Sequence, residues 1–139
     1  MFRKILVAND GSEGAARALS AAVKLAKEQG ADLHMISVEE LPRFAASVDE
    51  LIEEKSEANH VYEALTRRAV AQAQAQGVNL TPHVAVGHPV TAISDCVASG
   101  GFDLLVVGFM GHSALYNRLI GSTTDRLVEH APSAVLVIK

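Results

Sequence analysis

The sequence of 139 residues contains a single cysteine, Cys96. One thiol cannot form an internal disulfide, and a zinc site built from cysteines is excluded as well. In the segment "AISDCVAS", Cys96 lies at helical spacing from Ile93 and Val97. We interpret it as a small buried hydrophobic residue, because a reactive thiol needs exposure and a lowered pKa.

Long apolar runs are also missing, and none approaches the roughly 18 residues that a membrane-spanning helix requires. The N-terminal stretch "MFRKILVAND" leads directly into an apolar run of strand length. It lacks the hydrophobic region and the small-residue cleavage site of a secretory signal. These absences predict a cytoplasmic protein without membrane insertion.

Basic residues are too few and too scattered to form a nucleic-acid surface. Lys and Arg number 12 against 16 Asp and Glu, and the formal net charge is −4. Because binding to nucleic acid depends on clustered positive charge, we expect no nucleic-acid partner. With 49% hydrophobic and 20% charged residues, the composition is typical of a globular protein, and the length suits one domain with one core.

Apolar runs of strand length alternate along the chain with patterns of helical period. The runs predict strands at 4–9, 31–38, 79–87, 102–108 and 133–139, and helices are predicted at 15–30, 47–77, 88–99 and 122–131. Ser47 and Glu50 have the spacing of a capping box at the start of the second helix. Pro82, near the start of the third strand, indicates an edge strand. The alternation predicts an α/β fold, a single doubly wound domain with helices on both faces of a parallel sheet.

The segment "GFMGHSALYNRLIGST", residues 108–123, joins the fourth strand to the last helix. Glycines in this position of a doubly wound fold allow the backbone to approach a phosphate at the start of a helix. Gly108 would permit a sharp exit from the strand, and Gly111 and Gly121 would let the loop wrap around a ligand. We therefore interpret the segment as a phosphate-binding loop.

A second interpretation of the loop is that its glycines serve only turns, with Ser122 and Asp125 as an N-cap pair and nothing bound. Two known nucleotide motifs are excluded. A Walker A motif has Lys after its last glycine, whereas Ser122 follows Gly121 here. The dinucleotide fingerprint has more tightly spaced glycines, and they follow the first strand.

The spacing Gly108-x2-Gly111-x9-Gly121-Ser122 resembles the G-2x-G-9x-G-(S/T) nucleotide motif of the universal stress protein family. Three further segments resemble the family in the same order, namely "KILVANDGSEGAARAL", "VGHPVTAI" and "DRLVEHAPSAVLVIK". The resemblance implies a five-stranded sheet of order 3-2-1-4-5. In that order strands one and four are neighbours, so Asn9, Asp10 and Gly108 would meet in a crevice at their carboxyl ends.

The resemblance also implies a role for individual residues. Asn9 and Asp10 match the turn that contacts adenosine, and Val38 matches an apolar position against the adenine. Gly108 and Gly111 match the ribose and phosphate loop of the family. Gly121, Ser122 and Thr123 match the positions that hold the phosphates. Asn9 departs from the Val or Thr that the family often has, and it would add a donor near the adenine.

Alternative roles stay open for three residues in or near the predicted site. Asp10 could instead be a turn acid that caps the first helix. Arg118 and His112 could contact phosphate or could simply be exposed. The other histidines show no spacing typical of a metal site, so the only metal we expect is Mg²⁺ carried by the phosphates.

The leading functional hypothesis is a stress-response or signalling module whose occupancy by ATP, ADP or AMP modulates an unidentified protein partner. One alternative is a slow ATPase or phosphotransferase in the same pocket, although Asp10 is the only loop carboxylate that the sequence places there. Another is a protein adaptor that binds no nucleotide. In the order 3-2-1-4-5 the last strand lies at the edge, and its apolar residues 134–138 predict a homodimer, as the family resemblance also implies.

Overall fold

The computed structural model describes residues 1–40, 48–109 and 121–139. Strands and helices alternate in the predicted order. The strands are β1 (Lys4–Ala8), β2 (Asp32–Glu39), β3 (Leu80–Val86), β4 (Leu104–Gly108) and β5 (Ala134–Ile138). The helices are α1 (Glu13–Gln29), α2 (Val48–Ala75), α3 (Pro89–Gly100) and α4 (Ser122–His130). The proposed cap at Ser47 lies outside the described residues.

The strands form one parallel sheet of order β3-β2-β1-β4-β5, which confirms the predicted fold class. Pro82 lies in β3, and in this sheet β3 pairs with β2 alone. A proline is tolerated there because an edge strand has one unpaired side. Because all neighbouring strands are parallel, the carboxyl ends of all five strands lie at the same edge of the sheet.

Helices cover both faces of the sheet, as the alternation predicts. Ile5, Val7 and Val106 face α1 and α2, whereas Leu6 and Leu105 face α3 and α4. Neighbouring residues of a strand point to opposite faces, so a central strand that is buried on both faces is apolar at every position. This burial explains the continuous apolar runs of β1 and β4.

Cys96 of α3 is half-buried against the apolar layer that α3 and α4 form. Burial raises the pKa of its thiol, which disfavours the reactive thiolate. This agrees with the interpretation of Cys96 as a small packing residue. Among the helices that the structure describes, none is long and apolar enough to cross a membrane.

Gly108 brings α1 close to the end of β4. A Cβ atom at Gly108 would lie 2.7 Å from the carbonyl carbon of Gly14 and 2.8 Å from its oxygen. Gly108 is the last residue of β4, and its φ is not positive. Gly108 therefore makes room for the backbone of α1, whereas the predicted sharp exit from the strand leads into residues outside the described ones and stays a prediction.

A hydrogen-bonded pair of histidines connects β2 and β3. His34 Nδ1 and His83 Nε2 are 2.8 Å apart, while the ring centroids are 5.1 Å apart and the ring planes differ by 10°. The two nitrogens must therefore point at each other along the line between the rings and share one hydrogen. The other nitrogen of His34 lies 3.1 Å from the carboxylate of Asp32. If both rings were protonated, an N–H group of one ring would face an N–H group of the other. The hydrogen bond therefore requires that one of the two rings is neutral.

We expect Gly108→Ala to lower the free energy of unfolding by about 1–3 kcal/mol, the usual cost of overpacking. The added methyl group would meet backbone atoms of Gly14, and backbone can move aside less easily than a flexible side chain. Urea denaturation of both proteins measures the difference. Equal stability would contradict the close approach of α1 to β4.

We expect the stability to fall as the pH drops below 6.5, the ordinary pKa of histidine. Burial, then His34 and then Lys4 lower the pKa of His83. The unfolded chain consequently binds the proton first, and stability is lost as the pH falls through the folded pKa. Urea denaturation from pH 7.5 to 4.5 should give a shallower pH dependence for His83→Gln. The control His60→Gln, which replaces an exposed histidine of α2, should keep the slope of the original protein.

Candidate functional site

A cavity of about 370 Å³ opens at the carboxyl ends of β1, β2 and β4, beside the N-terminus of α4. The residues that line it include six of the predicted site positions: Asn9, Asp10, Val38, Gly108, Gly121 and Thr123. Ser122 is exposed and is not among the lining residues. Gly111, His112 and Arg118 lie outside the described residues, so their proposed roles stay predictions.

Asn9 directly follows β1 and is 4% exposed. Its Oδ1 atom accepts from the Gly11 N–H at 3.0 Å, and its Nδ2 atom donates to the sulfur of Met35 at 3.4 Å. The Ser37 hydroxyl donates to the Asn9 carbonyl oxygen at 2.7 Å. These bonds attach the turn after β1 to β2, so the amide of Asn9 shapes the turn, and its contact with a base stays a prediction.

Ser12, and not Asp10, is the N-cap of α1. The Ser12 hydroxyl accepts from the Ala15 N–H at 3.1 Å, whereas Asp10 Oδ1 accepts from the N–H of Ser12 itself at 2.9 Å. Gly11 between them has a φ of 82°, which favours glycine. The proposed capping role of Asp10 is therefore wrong, and its carboxylate instead holds the turn at the cavity.

The N-terminus of α4 carries no side-chain cap. Its N-cap is Gly121, with φ −64° and ψ 145°, so the predicted cap by Ser122 and Asp125 is wrong. The Gly121 N–H donates to the carbonyl oxygen of Phe109 at 2.9 Å. Thr124, which no sequence motif singles out, donates from Oγ1 to the carbonyl oxygen of Gly108 at 2.7 Å. Among residues 1–40, 48–109 and 121–139, no side chain accepts from the first N–H groups of α4. These groups lie at the positive end of the helix, where an anion binds well.

The opposite side of the cavity, at β2, is acidic. Glu39 and Glu40 follow Val38 directly and line the cavity together with Tyr62 of α2. The Tyr62 hydroxyl donates to the Val38 carbonyl oxygen at 3.0 Å. Burial raises the pKa of Tyr62, and the charges of Glu39, Asp10 and Glu40 raise it further. The expectation that Asp10 is the only loop carboxylate at the site is therefore wrong, because Glu40, which follows β2, also lines the cavity.

The two ends of the cavity differ in charge. The described lining residues include no Lys or Arg, and their three carboxylates are those of Asp10, Glu39 and Glu40. The described part of the chain contains no group of three or more His, Cys, Asp or Glu side chains that could hold a metal ion. Helix α4 therefore provides the positive end, while the end of β2 provides the negative one.

A sequence profile of the Universal stress protein family matches residues 1–139. Universal stress protein YxiE of Bacillus subtilis (strain 168) is 33% identical over 152 residues, which cover all of this chain and all of that protein. The chain belongs to the universal stress protein family.

Solved structures of the family have the same fold. Universal stress protein UspA from Lactobacillus plantarum is 29% identical with a TM-score of 0.88, over 99% of this chain and 98% of that one. A universal stress protein in complex with cAMP is 24% identical with a TM-score of 0.76, over 99% and 97% of the two chains. The Archaeoglobus fulgidus protein in complex with dAMP is 23% identical with a TM-score of 0.65, over 100% and 98%.

Proposed function

We propose that this universal stress protein binds an adenine nucleotide, ATP, ADP or AMP, in the cavity between β1, β2 and β4. The observation that carries the proposal is that the uncapped start of α4 and the ends of these strands line one cavity of about 370 Å³. This volume lies within the range of pockets that hold small ligands. Two relatives of the same fold that were solved with cAMP and with dAMP support the proposal, since both ligands contain adenine and a phosphate.

The charges of the cavity give the nucleotide one favourable orientation. Its phosphates belong at the start of α4, where N–H groups and the helix dipole favour negative charge. They would be repelled at the end of β2, where Glu39 and Glu40 lie. The base then faces Val38, Glu39 and Tyr62. Mg²⁺ would accompany the phosphates, and Gly111, Ser122 and Thr123 remain proposed phosphate contacts.

We propose further that nucleotide occupancy modulates an unidentified protein partner in the cytoplasm, and that residues 1–139 act as one nucleotide-binding domain. Binding is favoured over hydrolysis because Asp10 is engaged with the N–H of Ser12. Glu39 belongs to β2, and β1 lies between β2 and β4, which precedes α4. A carboxylate on β2 is poorly placed to orient water at a phosphate bound to α4.

Gly121 allows a test of the phosphate end with a matched pair of variants. Gly121→Asp and Gly121→Asn both add a side-chain oxygen that can accept from the first N–H groups of α4, and both residues are good N-caps. We expect both proteins to be as stable as the original or slightly more stable. Only the aspartate adds a negative charge beside the phosphates, so Gly121→Asp should weaken the binding of MgATP about tenfold or more, by like-charge repulsion.

Isothermal calorimetry with MgATP measures both affinities, and urea denaturation measures both stabilities. Gly121→Asn should bind more weakly than the original protein and more tightly than Gly121→Asp. If folded Gly121→Asp binds MgATP with unchanged affinity, the phosphates do not lie at α4.

We also propose a homodimer through β5. The Phe109 N–H donates to the carbonyl oxygen of Ile138, so the backbone groups of Ile138 face β4. Backbone groups alternate sides along a strand, and those of Val137 therefore face the open edge. Leu136 is 38% exposed. An apolar edge with unpaired backbone groups can pair with a second copy about a twofold axis.

Val137→Pro should give a folded monomer. The substitution removes an N–H group from the open edge and leaves the pairing of β5 with β4 in place. Val137→Thr is the matched control, since it keeps the N–H and nearly the same shape, and it should remain dimeric. Analytical ultracentrifugation at micromolar concentrations compares the three proteins. A monomeric original protein, or a fully dimeric Val137→Pro, would exclude pairing through β5.

A further inference from the structure

Glu39 is a nearly buried carboxylate at the base end of the cavity. Its exposure is 9%, and it lines the cavity together with Val38 and Tyr62. The backbone at this position is held by the neighbouring strand, because Glu39 pairs with Val86 of β3 and its carbonyl oxygen accepts from the Gly87 N–H at 2.9 Å. The side chain therefore starts from a rigid position.

The Glu39 carboxylate has no hydrogen-bond or ion-pair partner within the described residues. Among those residues, the side-chain oxygens that are sealed from solvent without a partner are the hydroxyls of Thr66 and Ser94. The oxygens of Glu39 are not sealed in this way, so the open part of this side chain includes its carboxylate. This carboxylate opens only to a small exposed surface, so a ligand that fills the cavity would remove its water, and the carboxylate would then gain from a donor on that ligand.

Tyr62 does not supply that donor. Its hydroxyl hydrogen is directed to the carbonyl oxygen of Val38 at 3.0 Å, and a phenol has only one hydrogen to donate. Burial and then the charge of Glu39 raise the pKa of Tyr62, so the hydroxyl keeps this hydrogen at neutral pH. The remaining donors are water and a ligand in the cavity, and a base that displaces the water must replace its hydrogen bond.

We propose that Glu39 determines base specificity by accepting a hydrogen bond from the exocyclic amino group of adenine. This inference rests on the proposed function, which places the phosphates at α4 and the base beside β2. Hypoxanthine and guanine carry an oxygen where adenine carries its amino group. That oxygen would face the carboxylate in place of the amino donor, and the base would have to shift to bring the hydrogen on its N1 atom to the carboxylate instead. A site built to accept from the amino group therefore rejects these bases.

The experiment compares the affinities for MgATP and MgITP. Hypoxanthine has an oxygen in place of the amino group and also carries a hydrogen on N1, the neighbouring ring atom. The original protein should bind MgATP at least about tenfold more tightly, as expected when a buried acceptor loses its donor. In Glu39→Gln the side-chain amide can donate to the oxygen of hypoxanthine as well as accept from adenine. We therefore expect the ratio of the two affinities to approach one, mainly through tighter binding of MgITP.

Glu63→Gln is the matched control, because it removes the same charge from an exposed position of α2 that does not line the cavity. It should keep the ratio of the original protein, which separates a local hydrogen bond from a change in net charge. Calorimetry gives the affinities, and circular dichroism shows that the variants are folded.

Equal affinity of the original protein for MgATP and MgITP would overturn this inference and leave the proposed function intact, and that comparison needs no variant. An unchanged ratio in folded Glu39→Gln would also overturn it. If the original protein binds neither nucleotide, the proposed function fails and the inference fails with it.

Discussion

The parallel pairing of β1 with β4 is the constraint on which the candidate site depends. Leu6 lies opposite Leu105 in this ladder, so residues about a hundred positions apart end at the same edge of the sheet. From that edge the chain continues from β1 into α1 on one face and from β4 toward α4 on the other. A crevice opens where the two connections diverge. The cavity is therefore a product of topology, and its side chains only adjust what it can accept.

The alternation of strands and helices was readable because its physical basis is local. A strand covered on both faces is apolar throughout its buried part, as "ILVA" (5–8) of β1 is, and a helix with one buried face shows a helical period. The sheet order came from the family resemblance, since periodicity does not tell which strands pair. The glycine spacing similarly predicted that Gly121 belongs to the site, and Gly121 does line the cavity.

The sequence was less informative wherever a contact joins distant segments. A glycine at a strand end suggests a turn, but Gly108 also lies against Gly14 of α1, and no local pattern indicates that contact. Tyr62 reaches the cavity from the middle of α2, where no local pattern distinguishes it from other residues of the helix. Glu39 and Glu40 did carry a signal, since they directly follow Val38 at a strand end. At the start of α1, Asp10 and Ser12 are both good caps, and the turn at Gly11 decides between them.

Because Gly108 lies so close to Gly14, the glycines of the motif are not equally good indicators of nucleotide binding when relatives are compared. A family member with a side chain at the position of Gly108 must first move α1 away from β4, whether or not it has a ligand. The loss of that glycine would therefore record a rearranged scaffold and would be a poor marker of lost nucleotide binding. Gly121 has backbone angles that any residue adopts, so its replacement does not strain its own backbone. Of these two glycines, Gly121 is the more informative position for sorting relatives into those that keep a ligand and those that do not.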